Sequence, residues 1–428
     1  MEKTNAQPGD YVQVHLTKEI YEGTFLEVSD SEKGIILLKL DSGYNIGFNR
    51  KDVLKIKVLR KFKETEKEDK EIKKDREKPN IAMIITGGTI AARLNPKKGG
   101  VDWLTNPEEL FKFYPELFKI ANVTKVEVPF MKASEDMDYK DWQKIARIAE
   151  KLLNDSNISG IIITHGTDFL HYTASALSFF LRNLNKPVVL TYSQRSIDRA
   201  SSDANLNLQC SALAAISNLA EVMLVGHATT NDDYCYAMPG TKVKKLHTSR
   251  RDAFKVVNAK PFARIYSDRI ELISEHKFRN KNKVKADVKF EEKVALIKFF
   301  PGQDPSILDY YLKEKYKGVV IEMGALGHVA TSRARQSWIR KLKEVQQKGL
   351  IICAVTQCIF GRVDPLVYSN GREILSTGVI YLEDMLAETA FVKLGWVLGH
   401  DEWAKNKEKV KEKMLENFAG EFSDRLEE

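Results

Sequence analysis

The alternation of apolar and polar residues divides the chain into unlike stretches. Up to about residue 58 the apolar runs are short and punctuated by glycine. Tyr11-Val12-Gln13-Val14-His15-Leu16 alternates, Thr24–Val28 follows a glycine, and Ile35–Leu40 runs into the turn signal Asp41-Ser42-Gly43. At least one more strand falls between Phe48 and Val58. Short strands at this spacing predict a small β-barrel or sandwich.

After Pro79 the pattern changes. Ile81–Ile85, Ile158–Thr164, Pro187–Tyr192 and Glu221–Gly226 are nearly continuous apolar strands. Between them, helical periodicity runs from near Asp138 through Leu153, from Phe169 to Leu184 and from Ala204 to Asn218. Strands that are apolar on both faces and alternate with helices predict a parallel sheet covered on both sides. A polar, charged break follows at 275–292. Beyond it the alternation restarts, with strands at Val294–Phe299, Gly318–Met323 and Leu350–Thr356. Helices are predicted at Pro305–Lys315, Ser332–Gln347 and Glu383–Leu398, and a charged one from about Glu402. The expected order is a β domain (1–60), a linker (61–79), a first α/β domain (80–285) and a second (286–428). The fold class is α/β, preceded by a small β domain.

Charge and composition refine this picture. Residues 61–78 hold eight basic and seven acidic residues and almost nothing apolar. Such a segment cannot build a core and reads as a solvated linker, partly helical through i,i+4 pairs. The net charge of +8 is spread along 428 residues, which permits contact with a polyanion without arguing for one. The four cysteines have no CxxC spacing, so structural zinc is not expected and a reducing compartment is. The N-terminus has no apolar run, and no stretch approaches the ~18 apolar residues of a membrane span. A soluble cytoplasmic protein is expected.

Two strand-ends carry matching punctuation. One is Ile84-Ile85-Thr86-Gly87-Gly88-Thr89-Ile90-Ala91 and the other Ile162-Ile163-Thr164-His165-Gly166-Thr167-Asp168. Ligands of open parallel sheets bind beyond the carboxyl ends of strands, so Thr89 and Thr167 should enter one crevice. Gly88 and Gly166 let the backbone approach a substrate and aim N–H groups at a carboxylate or oxyanion. A threonine hydroxyl is a poor nucleophile until a base takes its proton. Asp168 adjoins Thr167, and lysines lie in the basic stretch Lys242–Phe254. A desolvated lysine beside a carboxylate can serve as base. By itself, however, that stretch reads as a solvated loop. His15, His171, His227, His247, His328 and His400 lack metal-ligand spacing and read as structural or surface residues. Tyr310, Tyr311 and Tyr316 read as helix-packing residues, and the lysines of 405–413 as a solvated face.

The motifs Thr86-Gly87-Gly88-Thr89-Ile90-Ala91 and His165-Gly166-Thr167-Asp168 resemble those of the bacterial-type L-asparaginase family, which shares its fold with amidotransferase glutaminase subunits. The resemblance runs through most of 80–400. Ala133–Met137 is similar to the family's substrate loop and Gly324–His328 to its second-domain glycine loop. Within the family, the resemblance is closer to the D subunits of archaeal glutamyl-tRNA(Gln) amidotransferase. The N-terminal β domain, the stretches Gln194–Ala204 and Lys245–Phe254, and Glu135 in place of the glutamine of many asparaginases all point that way.

The resemblance implies a glutaminase. Thr89 would be the first nucleophile candidate, attacking the side-chain amide carbon. Thr167, Asp168 and Lys245, with Lys244 as the other lysine to weigh, would form a set that activates or replaces it. Ser134 and Glu135 would hold the α-carboxylate and α-amino group, with Gly88 and Gly166 beside them. It also implies a homodimer core and a partner, the amidotransferase E subunit, in a heterotetramer that acts on Glu-tRNA(Gln). This chain has no Gly-x-x-x-x-Gly-Lys-Ser/Thr loop, so no cofactor is expected in it, and ATP and Mg²⁺ should belong to the partner. One departure is that residues 92–113 lack the lid tyrosine of asparaginases; the lid works differently or another residue, Trp103 for instance, takes its space. Two alternatives are a stand-alone L-asparaginase and an inert RNA-binding scaffold. The β domain and the missing tyrosine disfavour the first, and the complete threonine, aspartate and lysine set disfavours the second.

Overall fold

The computed structural model describes residues 5–28, 34–42, 44–62, 75–94, 101–103, 114–197 and 201–426, with the backbone alone for 93–94 and 101–103. Of the linker 61–78, read as partly helical, residues 63–74 lie outside the described ones, and 75–78 form a turn and not a helix.

Near the N-terminus, Tyr11–His15, Ile20–Leu26, Ile35–Lys39, Asn45–Asn49 and Lys55–Arg60 form one antiparallel sheet. Alternation places Val12 and Val14 inside, with Ile36, Leu38, Phe48 and Val53 completing a small core. This one antiparallel sheet is the small β domain expected here, with all five strands in a single sheet and not in two. The run read as Phe48–Val58 is two strands joined by a turn at 50–52.

The large sheet has eight strands, in the order Ile270–Leu272, Ala263–Ile265, Cys235–Pro239, Val222–His227, Val188–Thr191, Ile161–Thr164, Asn80–Ile85, Asn122–Glu127. The last five of these are parallel. Alternate residues of these strands serve two cores, as their runs of isoleucine and valine require. Ala82, Ile84, Ile161 and Ile163 pack with Ile145 of the helix Tyr139–Leu153 and Leu177 of the helix Leu170–Phe180. Ile81, Met83, Ile85 and Ile162 pack with Leu208 and Ala212 of the helix Ala204–Ile216.

The sheet is mixed, however, not purely parallel. Cys235–Pro239, Ala263–Ile265 and Ile270–Leu272 extend it in antiparallel fashion. The helix from Tyr139 starts where expected because Asp138 caps it in a reciprocal capping box with Asp141. The helix predicted to reach Leu184 stops at Phe180, and Leu181–Arg182 then pairs with Lys285–Ala286. The polar break thus contributes a short strand.

The second sheet is parallel, in the order Val294–Lys298, Gly318–Met323, Ile351–Thr356, Ile380–Tyr381. Its helices are shorter than the pattern predicts. Ile307–Lys313 replaces 305–315, Ile339–Gln347 replaces 332–347, and Ala387–Leu398 replaces 383–398. The expected terminal helix is two pieces, Asp401–Ala404 and Lys407–Leu415, the second capped by Asn406. Tyr311 and Tyr316 pack on the local core, and Tyr310, 57% exposed, packs its ring edge-on against Tyr311 at 5.4 Å. Among the described residues no helix is long and apolar enough to cross a membrane.

Candidate active site

Asn80–Ile85 and Ile161–Thr164 are neighbours in register, and the chain leaves them in opposite directions. The first leads to the edge strand Asn122–Glu127, the second toward Val188–Thr191. That reversal is the switch point at which such sheets open a crevice, and both threonine loops start there. Thr86 locks the two strand-ends together: its hydroxyl donates to the Thr164 carbonyl at 2.8 Å and its amide donates to the same oxygen at 3.2 Å.

The glycines let three loops meet backbone to backbone. Gly87 and Gly88 have φ of 122° and 83°. A Cβ on Gly88 would lie 2.4 Å from the Gly166 amide nitrogen, and one on Gly87 would lie 2.4 Å from the Lys132 carbonyl oxygen. Gly166 is similarly close to Ser134, with 3.0 Å from its Cβ position to the Ser134 nitrogen. Thr89 then opens a short 3-10 turn, Thr89–Ala91, half-buried at the crevice. The chain continues into a hairpin of Ala92–Leu94 with Val101–Trp103. The side chain of Trp103 and most of the lid region lie outside the described residues.

Thr167 is half-buried and Asp168 exposed. Lys245 reaches them from the distant strand Val243–Lys245, which pairs with Phe254–Val256. Its Nζ donates to Thr167 Oγ1 at 2.9 Å and to Asp168 Oδ1 at 2.6 Å, and Thr167 Oγ1 donates to Asp168 Oδ1 at 3.3 Å. The hydrogen bond from Lys245 holds the Asp168 carboxyl below its ordinary range. Lys244 points the other way, to Glu388. So the basic stretch read as a solvated loop is a hairpin, and Lys245, not Lys244, meets Thr167. Ser134 is buried and accepts a bond from the Phe169 amide at 3.3 Å, and Glu135 lies exposed beside it. Both line a cavity of about 380 Å³ walled by the rings of Tyr139, Trp142, Phe169 and Tyr172.

The hydrogen bonds around Lys245 run to Thr167 and Asp168 and do not extend to Thr89. The glycine loop Gly324–His328 closes on itself at the end of Gly318–Met323, through backbone bonds between Gly324 and His328. In 194–204, Asp203 accepts from the amides of Gln194 and Arg195, while 198–200 lie outside the described residues. Arg251 donates to the Ser201 carbonyl at 2.7 Å, joining this loop to the Lys245 hairpin.

Sequence reasoning passed over His165. It is fully buried, bonded to the Gly166 carbonyl at 2.7 Å and to Thr173 Oγ1 at 2.9 Å, and burial lowers its pKa to about 4. A neutral imidazole thus props the Thr167 loop from below. The signal was its place between Thr164 and Gly166. Among the described residues no group of His, Cys, Asp and Glu is arranged to hold a metal ion.

Known proteins match these parts in order. Residues 6–59 match the GatD N-terminal domain, 80–278 the asparaginase N-terminal domain, and 293–414 the glutaminase/asparaginase C-terminal domain. The chain is 44% identical over 432 residues to the glutamyl-tRNA(Gln) amidotransferase D subunit of Pyrococcus furiosus, covering 99% of this chain and 96% of that protein. It is 45% identical over 433 residues to the same protein of Thermococcus kodakarensis, with the same coverage. The solved thermostable L-asparaginase of Thermococcus kodakarensis superposes with a TM-score of 0.70 at 28% identity, over 80% of this chain and 99% of that one. On this similarity along its whole length, the chain belongs to the family of glutamyl-tRNA(Gln) amidotransferase D subunits, built on the asparaginase fold.

Proposed function

We propose that this chain is the glutaminase subunit of a tRNA-dependent amidotransferase, hydrolysing glutamine to glutamate and ammonia by threonine nucleophiles. The observation that carries this reading is Lys245 Nζ within hydrogen-bond reach of both Thr167 Oγ1 and Asp168 Oδ1. A hydroxyl needs a partner for its proton: Asp168 Oδ1 accepts from the Thr167 hydroxyl, and the Lys245 ammonium, bonded to both, steadies the charge on the pair.

Thr89 Oγ attacks the side-chain amide carbon, and backbone N–H groups of the two loops stabilise the oxyanion. The hydroxyl proton passes through the Thr167–Asp168–Lys245 set to the departing nitrogen, so ammonia leaves and a glutamyl ester remains. Water then attacks the ester carbon; its proton returns to the threonine oxygen and glutamate departs. Ser134 and Glu135 hold the α-carboxylate and α-amino group, and Gly88 and Gly166 let the loops that bind the substrate close on one another. The released ammonia serves the amidotransferase E subunit, which uses ATP and Mg²⁺ to amidate Glu-tRNA(Gln). This chain itself needs no cofactor. The assembly is a cytoplasmic heterotetramer on a homodimer core; a monodisperse monomer of this chain by light scattering would contradict that core.

The test is ammonia release from glutamine and asparagine, by the chain alone and with the E subunit and Glu-tRNA(Gln). Glutamine hydrolysis that rises sharply with partner and charged tRNA supports the reading. Fast asparagine hydrolysis by the chain alone, indifferent to tRNA, would make it a stand-alone asparaginase.

A further inference from the structure

Lys245 sits on a strand of three residues, Val243–Lys245, paired only with Phe254–Val256 in a two-stranded ribbon. Val243 and Phe254 are buried and anchor this ribbon in the core of the first unit. A lysine side chain, with four rotatable bonds, is only as well placed as the backbone that carries it. The core holds the apolar positions of the ribbon, and the lysines take their direction from charged partners.

Successive side chains of a strand point to opposite faces. Lys245 faces Thr167 and Asp168; its neighbour Lys244 faces Glu388 and pairs with its Oε1. Glu388 belongs to the first turn of the helix Ala387–Leu398, in the second α/β unit. The same carboxylate oxygen lies 3.8 Å from His171 Nε2, on the helix Leu170–Phe180 that begins just after Asp168. Two further ties come from the start of the helix Ala387–Leu398 and the residues before it. Lys242 Nζ meets Asp384 Oδ2 at 2.6 Å with both side chains buried, and Thr389 Oγ1 donates to the Thr241 carbonyl at 2.9 Å. This segment therefore grips the strand at Lys244 and the two residues that lead into it, Thr241 and Lys242. Glu388 also neutralises an ammonium one residue from Lys245.

We infer that Glu388 is a positioning residue: acting through Lys244, it fixes Lys245 against Thr167 and so makes the second α/β unit part of the reacting geometry of the first. This rests on the reading of Thr167, Asp168 and Lys245 as the reacting set. The second unit thus reaches the reacting set through Lys244.

The experiment is steady-state ammonia release from glutamine by the full chain with the E subunit and Glu-tRNA(Gln) present, alongside thermal melting. Glu388→Ala and Lys244→Met are each expected to lower kcat by about 10- to 100-fold, the effect of an ångström-scale misplacement. KM should stay within about twofold, because substrate contacts are untouched. The double variant should be no slower than Glu388→Ala, because both changes break one link. Glu388→Asp should recover part of the rate. If Glu388→Ala does not fold, the isosteric Glu388→Gln replaces it. Wild-type kcat in Glu388→Gln and Lys244→Met, with Thr167→Ala and Lys245→Met inactive, overturns the positioning role alone. Normal turnover by Thr167→Ala and Lys245→Met overturns the reading of the site, and this inference with it.

Discussion

The two threonine loops leave adjacent parallel strands with similar glycine punctuation, yet they are equipped differently. Thr89 is placed by backbone: Gly87 and Gly88, at positive φ, seat its turn directly on Gly166 and Lys132. Thr167 is placed among charges: Lys245 and Asp168 are bonded to its hydroxyl, and buried His165 supports it from beneath. Close approach to a substrate and management of a proton are separate demands, and in the proposed reaction the two loops meet them separately. A nucleophile at the edge of a glycine turn can come near an amide carbon. A proton-handling pair of carboxylate and ammonium needs a rigid strand to hold its lysine, which a glycine turn cannot supply.

The division between the loops is broken most directly at the threonines. Thr89→Ala and Thr167→Ala are each expected to cut ammonia release from glutamine by about 10³-fold or more, at an unchanged melting temperature. Equal, full activity in both would remove the division of roles. Next in size is Asp168→Asn, which leaves Lys245 without its charged partner and should slow turnover about 10²-fold. A wild-type rate would mean that the carboxylate only decorates the rim.

The backbone half of the comparison can be sharpened with two glycines that share a φ of 83°. Gly88→Ala should cost about 2–4 kcal/mol in urea unfolding, because strain adds to collision with Gly166. Gly302→Ala has the strain and nothing within 4 Å, so about 1–2 kcal/mol is expected. Equal costs would show that the loops do not press together.

The smallest effect is in pH. Burial lowers His165 and His171 to about 4. Between about pH 6.5 and 4 the unfolded chain binds protons that these folded histidines refuse, so stability falls as pH falls through that window. Asp168, with its pKa depressed, loses its contribution in the same direction at lower pH. His165→Gln should flatten the pH 6.5-to-4 slope of the melting temperature, whereas an unchanged slope would mean that His165 charges freely when folded.

Much of this was legible in the sequence. Ile81–Ile85 and Ile161–Thr164 announce themselves because a strand covered on both faces is apolar throughout, and their glycine and threonine ends mark the crevice. The strands Ala263–Ile265 and Ile270–Leu272 were missed because three residues give no period to read. The hairpin at Val243–Lys245 looked solvated because its lysines are charged; the carboxylates that pair with them, Asp384 and Glu388, lie 142 and 144 residues away. Local pattern carries no information on such pairs, which is why Lys245 could be singled out by resemblance and not by periodicity. The helix predicted from Ser332 starts only at Ile339, after a segment that ends in fully buried Trp338, whose indole N–H donates to the Gln303 carbonyl at 3.1 Å; tertiary anchoring there overrides helical propensity.

The most direct test of the central claim, that Lys245 makes Thr167 part of a glutaminase, is ammonia release from glutamine by Lys245→Met in the complete assembly, measured beside its melting temperature. Turnover is expected to fall by about 10²- to 10⁴-fold with folding intact. Wild-type turnover by a folded Lys245→Met chain would contradict the claim.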